Sequence, residues 1–142
     1  MYILDTNVIS ELFRPKPEPL VSDWIERHPP EQFFVASISK AESLLGLTMM
    51  PDGKRRQALA ETMHSFFDDR LLTPILPFGD REAIAFAGLV AHRTRRGLPI
   101  GEFDAQIAAI ARVSGFSVVT RNVDDFSHCG IDIINPWDHS AT

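Results

Sequence analysis

The stretch YILDTNVISEL, residues 2–12, sets three strand-forming residues directly before Asp5, Thr6 and Asn7. Behind these polar groups an apolar-periodic pattern resumes with Val8, Ile9 and Leu12. A short β-prone run followed by a helical pattern is the opening of a strand–helix unit. Asp5 then stands where the strand ends, either as a turn residue or as the first residue of a site.

The same alternation continues down the chain. Tyr2–Leu4, Phe33–Ala36, Pro74–Leu76, Ser117–Thr120 and Ile131–Ile134 are expected strands, bounded by Pro- and Gly-containing turns such as "RPKPEP" at 14–19 and "MPDG" at 50–53. Helical spacing links Leu20, Val21, Trp24 and Ile25, then Ala41, Leu44 and Leu45, then Leu59, Met63, Phe66 and Phe67. It recurs in Ala83, Ile84, Ala87 and Val90, and in Ile107, Ile110 and Ala111. This order implies an α/β domain with a mostly parallel sheet covered on both faces. Ligands of such sheets gather beyond the carboxyl ends of the strands, where Asp5 falls.

At 142 residues the chain is expected to form a single domain, residues 1–142, with no internal repeat or low-complexity tract. A net charge of −5 means that a nucleic acid would have to be held by a local basic face. Cys129 is the only cysteine, so no internal disulfide can form and a cytoplasmic setting is expected. The N-terminus lacks a signal-peptide pattern, and no apolar run approaches the roughly 20 residues of a membrane span. Trp24, Phe66 and Phe67, at helical spacing, are expected in the core rather than as platforms for stacked bases.

Carboxylates recur where strands end or helices begin. In "SISKAESLLG", residues 37–46, Ser39 and Glu42 have the spacing of a capping box, which would turn Glu42 back onto its own helix. In "PIGEFDAQIAAIA", residues 99–111, Glu102 and Asp104 occupy a first helical turn, where the helix dipole favours acids. In "VVTRNVDDF", residues 118–126, Thr120 and Asn122 follow a strand, and Asp124 and Asp125 follow them. Each acid therefore has a structural reading. A parallel sheet can nonetheless bring all of them to one edge, where mutual repulsion and burial raise their pKa values unless a cation intervenes. Oxygen donors without a His or Cys cluster point to Mg²⁺ or Mn²⁺ rather than zinc.

These four blocks, in this order and spacing, resemble the PIN-domain ribonucleases, most closely the VapC-type toxins of bacterial toxin–antitoxin pairs and their FitB-like branch with its terminal "NPW". The likeness spans essentially the whole chain. It implies a three-layer domain, a five-stranded parallel sheet flanked by helices, with an acidic pocket holding Mg²⁺ or Mn²⁺. By position, Asp5, Glu42 and Asp104 are the expected core carboxylates. Asn122 stands where relatives often carry Asp, so the fourth ligand is either Asn122 or Asp125, with Asp124 behind them. Thr6, Asn7 and Thr120 are expected to orient these groups.

The resemblance implies metal-dependent hydrolysis of structured RNA, with transfer RNA as the substrate class. It also implies a VapB-like antitoxin over the acidic pocket, contact with DNA only through that antitoxin, and a homodimer. Lys54, Arg55 and Arg56 in "GKRRQ", and Arg93, Arg95 and Arg96 in "HRTRRG", are the expected RNA-binding rim, with Arg14, Arg112 and Arg121 as scattered additions. Two rival readings differ in class. A haloacid-dehalogenase-type phosphatase needs an acid two positions after Asp5, where Asn7 stands. A non-catalytic PIN-like subunit of a DNA-binding complex would not need Asp5, Glu42 and Asp104 together.

Overall fold

The computed structural model describes residues 1–68 and 73–138. Strands β1 (Tyr2–Leu4), β2 (Phe33–Ala36), β3 (Ile75–Leu76), β4 (Ser117–Val119) and β5 (Ile133–Ile134) form one sheet in the order β3-β2-β1-β4-β5. Every pairing is parallel. Between them lie helices α1 (Thr6–Leu12), α2 (Pro19–Glu26), α3 (Ser37–Thr48), α4 (Lys54–Asp68), α5 (Asp80–Arg95), α6 (Glu102–Ser114) and α7 (Val123–Phe126), with a short 3-10 turn at Pro30–Gln32. All five expected strands are present, the last three trimmed by one or two residues. None of the helices is long and apolar enough to cross a membrane among the described residues.

The strands are apolar on both faces, as a sheet covered on two sides requires. Ile3, Ala36 and Val118 pack with Leu89, Ile107, Ile110 and Phe126 on one face. Their neighbours Leu4, Val35 and Val119 point the other way, against Val8, Ile9, Val21, Trp24, Met63 and Phe67. Successive strand residues thus feed two separate cores. Trp24 and Phe67 are buried, and Phe66 meets Phe13 edge-on at 5.2 Å, so these aromatics are core residues as expected.

Helix α6 is nearly all core: Ala105, Ile107, Ala108, Ala109, Ile110 and Ala111 are buried. Its alanines favour the helix and let neighbouring elements approach closely. Gly115 ends it with φ 72°, a left-handed conformation that glycine adopts without steric cost, and the chain turns straight into β4. This turn returns the chain to run parallel beside β1, with Leu4 opposite Val119.

The capping box does not form. Helix α3 starts at Ser37 with Ala36 as its cap, so Ser39 lies inside the first turn and is buried. Glu42 is then too far along the helix to reach the cap backbone. Its side chain is free to face another element.

Short α7 is anchored by Phe126, which is fully buried. Phe126→Ala is expected to lower unfolding free energy by about 3–5 kcal/mol in urea titrations. A loss below about 1 kcal/mol would mean that α7 is not tied to the core.

Candidate active site

The centre of the sheet is β1, and Asp5 is the first residue after it. Its backbone N–H still belongs to the ladder, donating to Val119 O at 2.9 Å. Its side chain caps α1 by accepting from Thr6 N at 2.8 Å on Oδ1. The turn reading and the site reading of Asp5 are therefore compatible, because the cap uses one oxygen. On Oδ2 it accepts from Thr120 Oγ1 at 2.8 Å and Asn7 Nδ2 at 3.0 Å.

These donors are themselves held. Thr120 Oγ1 accepts from Asn122 N at 3.0 Å and Asn7 Nδ2 at 3.2 Å, and Asn7 Oδ1 accepts from Arg121 N at 3.2 Å. Thr6 Oγ1 donates to Glu42 Oε1 at 2.9 Å. One threonine thus connects the carboxylate at the end of β1 to the carboxylate on α3. Thr6, Asn7 and Thr120, expected to orient the acids, make these contacts.

Asp5 is 4% exposed. Burial raises its pKa, and the donors from Thr120, Thr6 and Asn7 pull it back only in part, while the charge of Asp125 adds to the rise. Glu42 is raised by burial and by Asp5, with Thr6 opposing. Asp104 is pushed from 3.8 to about 6 by burial, then by the charges of Asp5, Asp125 and Glu42, with Arg93 offsetting part. Residues 5, 42, 104 and 125, from four separate segments, therefore occupy one electrostatic neighbourhood.

On the fourth position, Asp125 supplies charge felt by both Asp5 and Asp104. Asn122 is exposed and contributes its backbone N–H to Thr120. Asp124 does not figure among the charges acting on either acid.

Among the described residues, no three His, Cys, Asp or Glu side chains close into a ready-made metal cage. Zinc, which favours His and Cys donors, is poorly matched to this all-oxygen set. Mg²⁺ keeps several waters and uses one or two carboxylates directly, so hard oxygen donors that repel one another fit a hydrated ion.

An open depression of about 440 Å³ is lined by Glu42, Gly101, Glu102, Phe103 and Asp104. Phe103 was not anticipated at the site, and its ring is 46% exposed. The available signal was an aromatic residue standing alone in an otherwise polar first helical turn.

The basic candidates separate. Arg95 and Arg96 are exposed at the end of α5, which runs antiparallel to α6 and so finishes near the start of α6 and Asp104. Arg93 is a correction: it is 4% exposed, with its guanidinium on backbone carbonyls, and has no free donor face for RNA. Lys54, Arg55 and Arg56 lie apart from the carboxylates. Lys40, near the start of α3, lies over Phe67 at the end of α4, so the two helices are antiparallel. Residues 54–56 therefore sit at the far end of α3, about 18 Å from its start for 12 residues, away from the carboxylates. Arg56 is also paired with Asp52. Arg121 is exposed next to Thr120 and its guanidinium lies over Trp137 at 5.1 Å.

The raised carboxylates set a pH dependence. A carboxyl with a higher pKa folded than unfolded stabilises most when protonated, and that contribution is lost as pH rises. In chelator, thermal stability is expected to fall between about pH 4 and pH 6, the window between the ordinary and raised values of Asp104. Asp104→Asn should flatten that fall. A profile unchanged by the substitution would place Asp104 outside the shared field.

A protein-family model described as "PIN domain" matches residues 2–131. A "VapC ribonuclease Y4jK" of Sinorhizobium fredii is 39% identical over 138 residues, covering 97% of this chain and 99% of that protein. A "Toxin FitB" of Neisseria gonorrhoeae is 32% identical, covering 96% and 99%. A solved structure titled "Structure of FitAB bound to IR36 DNA fragment" superimposes with TM-score 0.88 at 33% identity, covering 97% of this chain and 96% of that one.

Proposed function

Because the chain belongs to the PIN-domain family, we propose that it is an endoribonuclease toxin that hydrolyses phosphodiester bonds of structured RNA, with transfer RNA as substrate class and a VapB-like antitoxin as its inhibitor. The observation that carries this reading is the gathering of Asp5, Glu42 and Asp104 at the carboxyl edge of the sheet, each raised by burial and by a neighbouring charge. Such a set is disfavoured as three bare anions and favoured around a divalent cation.

Asp5, Glu42 and Asp104 are the residues that would hold Mg²⁺ or Mn²⁺, with Asp125 or Asn122 in the fourth position. When bound, the ion supplies a water of lowered pKa and neutralises charge that develops on the phosphate. The chain's own contribution is preorganisation. Thr120, Asn7 and the Thr6 backbone fix both oxygens of Asp5, while Thr6 Oγ1 fixes Glu42. No reorientation of these groups is then needed during reaction, which is the condition for strong electrostatic stabilisation. This organised set of acids argues against the non-catalytic reading.

Arg95, Arg96 and Arg121 are the exposed cations suited to RNA phosphates beside the pocket. The DNA in the FitAB structure supports contact with DNA through an antitoxin rather than through this acidic chain. Exposed Leu44 and Leu45 on α3, with Met49 just past its end, offer apolar surface for a second copy of the chain.

Sequencing RNA ends after brief expression is the test of the activity. Discrete cuts are expected, absent with Asp5→Asn; cuts that persist in that variant would contradict the assignment. Glu42→Gln should keep the thermal midpoint, since glutamine still accepts from Thr6, yet lose more cleavage than the roughly 10–100-fold typical of an outer positioning group. Replacing Arg95 and Arg96 with Ala should reduce the salt slope of RNA binding by about 1.5, at roughly 0.7–0.9 per phosphate lost. The same exchange at Lys54 and Arg55 should leave the slope unaltered.

A further inference from the structure

Arg93 is a cation buried at the end of α5, and every donor nitrogen of its guanidinium is used. Nε donates to Leu98 O at 2.9 Å and Nη2 to Pro99 O at 3.3 Å. Nη1 reaches Asp125 O at 2.6 Å, Ser127 O at 3.1 Å and Asp124 O at 3.3 Å. The first two carbonyls lie in the segment leading into α6, just ahead of Gly101 and Asp104. The other three lie at the end of α7, the helix that carries Asp125.

Both segments need such a partner. A four-residue helix has almost no internal ladder: Ser127 meets Asp124 O through its N–H and hydroxyl, and Arg93 supplies the donor to Asp125 O. The segment at 96–101 contains Gly97 at φ 72° and Pro99, and it has no strand to fix it. Arg93 closes it from two directions, since its own backbone carbonyl also accepts from Leu98 N at 2.9 Å. Lysine has three donors on one nitrogen and no planar fork, so it cannot meet all five carbonyls of the two segments at once. A neutral side chain would leave several carbonyls unmet. The arginine's charge also faces Asp104 and opposes the repulsion of the surrounding acids.

We propose that Arg93 is a positioning residue whose single guanidinium ties the segment ahead of Asp104 to the segment carrying Asp125, and so sets the width of the acidic pocket. The link to metal and cleavage rests on the nuclease reading above; the link between the two segments does not. With its donors on backbone carbonyls Arg93 offers RNA no free face, so its loss acts through the geometry and the electrostatics of the acids.

The test uses Arg93→Lys and Arg93→Gln in the full chain. Mn²⁺ affinity, followed by electron paramagnetic resonance, should fall about 10–100-fold in both, the range typical of groups that orient metal ligands. The salt slope of RNA binding should stay at the parental value. Parental Mn²⁺ affinity in either variant, or a reduced salt slope, overturns the proposal. Amide exchange in the parent protein decides the matter even where a variant fails to fold. Residues 98–104 and 123–127 are expected to open together, in one step separate from the central strands. Independent opening of the two segments would refute the clamp. If the parent protein takes up no Mn²⁺, the metal reading fails by itself, and exchange still tests the role of Arg93.

Discussion

Asp5 is held under the surface by one backbone N–H and two side-chain donors, and those side chains come from residues 7 and 120 of the same chain. A buried carboxylate without such donors would be protonated or would unfold its surroundings. With them, its pKa still stays above the ordinary value, because burial outweighs the hydrogen bonds. The site is thus built in a state that favours arrival of positive charge. Its neighbours Glu42 and Asp104 are raised for the same reasons, so the tension is shared over several elements rather than stored in one residue.

Topology makes this possible. With β1 in the middle, its flanking strands β2 and β4 lead directly into the two segments that complete the site. Helix α3 follows β2 and brings Glu42; Thr120 follows β4 and reaches back to Asp5. The alternating apolar faces of the strands fix which side each helix covers, so the polar ends of the strands are the only places left for charge. Packing of α6 against the sheet then determines where Asp104 arrives, and Arg93 relates that position to α7.

Much of this was readable in the amino-acid sequence, and the failures have specific causes. The five strands and the long helices follow from apolar spacing, which depends on local pattern and on burial alone. Acids recurring at strand ends and helix starts implied that they could converge, and the resemblance to PIN-domain ribonucleases singled out Asp5, Glu42 and Asp104. The capping box failed because Ala36 already has an extended backbone, so α3 begins two residues before Ser39. Which basic side chains face outward beside the pocket was not legible, because charge in a sequence carries no direction. Arg93 and Arg95 are two residues apart, yet one points into a cage of carbonyls and the other is exposed. Lys54 and Arg55 are exposed too, but only the antiparallel packing of α3 and α4 shows that they lie at the end of α3 away from the carboxylates. Phe103 has no periodic partner, and its place at the rim depends on the path of the segment before α6.

The central claim is that mutually repelling carboxylates, Asp5 buried and Glu42 and Asp104 half-buried, form one site for a divalent cation. Calorimetric titration with Mn²⁺ in buffers of different ionisation enthalpy measures it directly, because a shared site must give up the proton held by Asp104. The account requires protons to be released as the ion binds near pH 6, with the release diminishing as pH rises well above the raised value of Asp104. Mn²⁺ that binds without proton release at pH 6, or fails to bind at all, would contradict it.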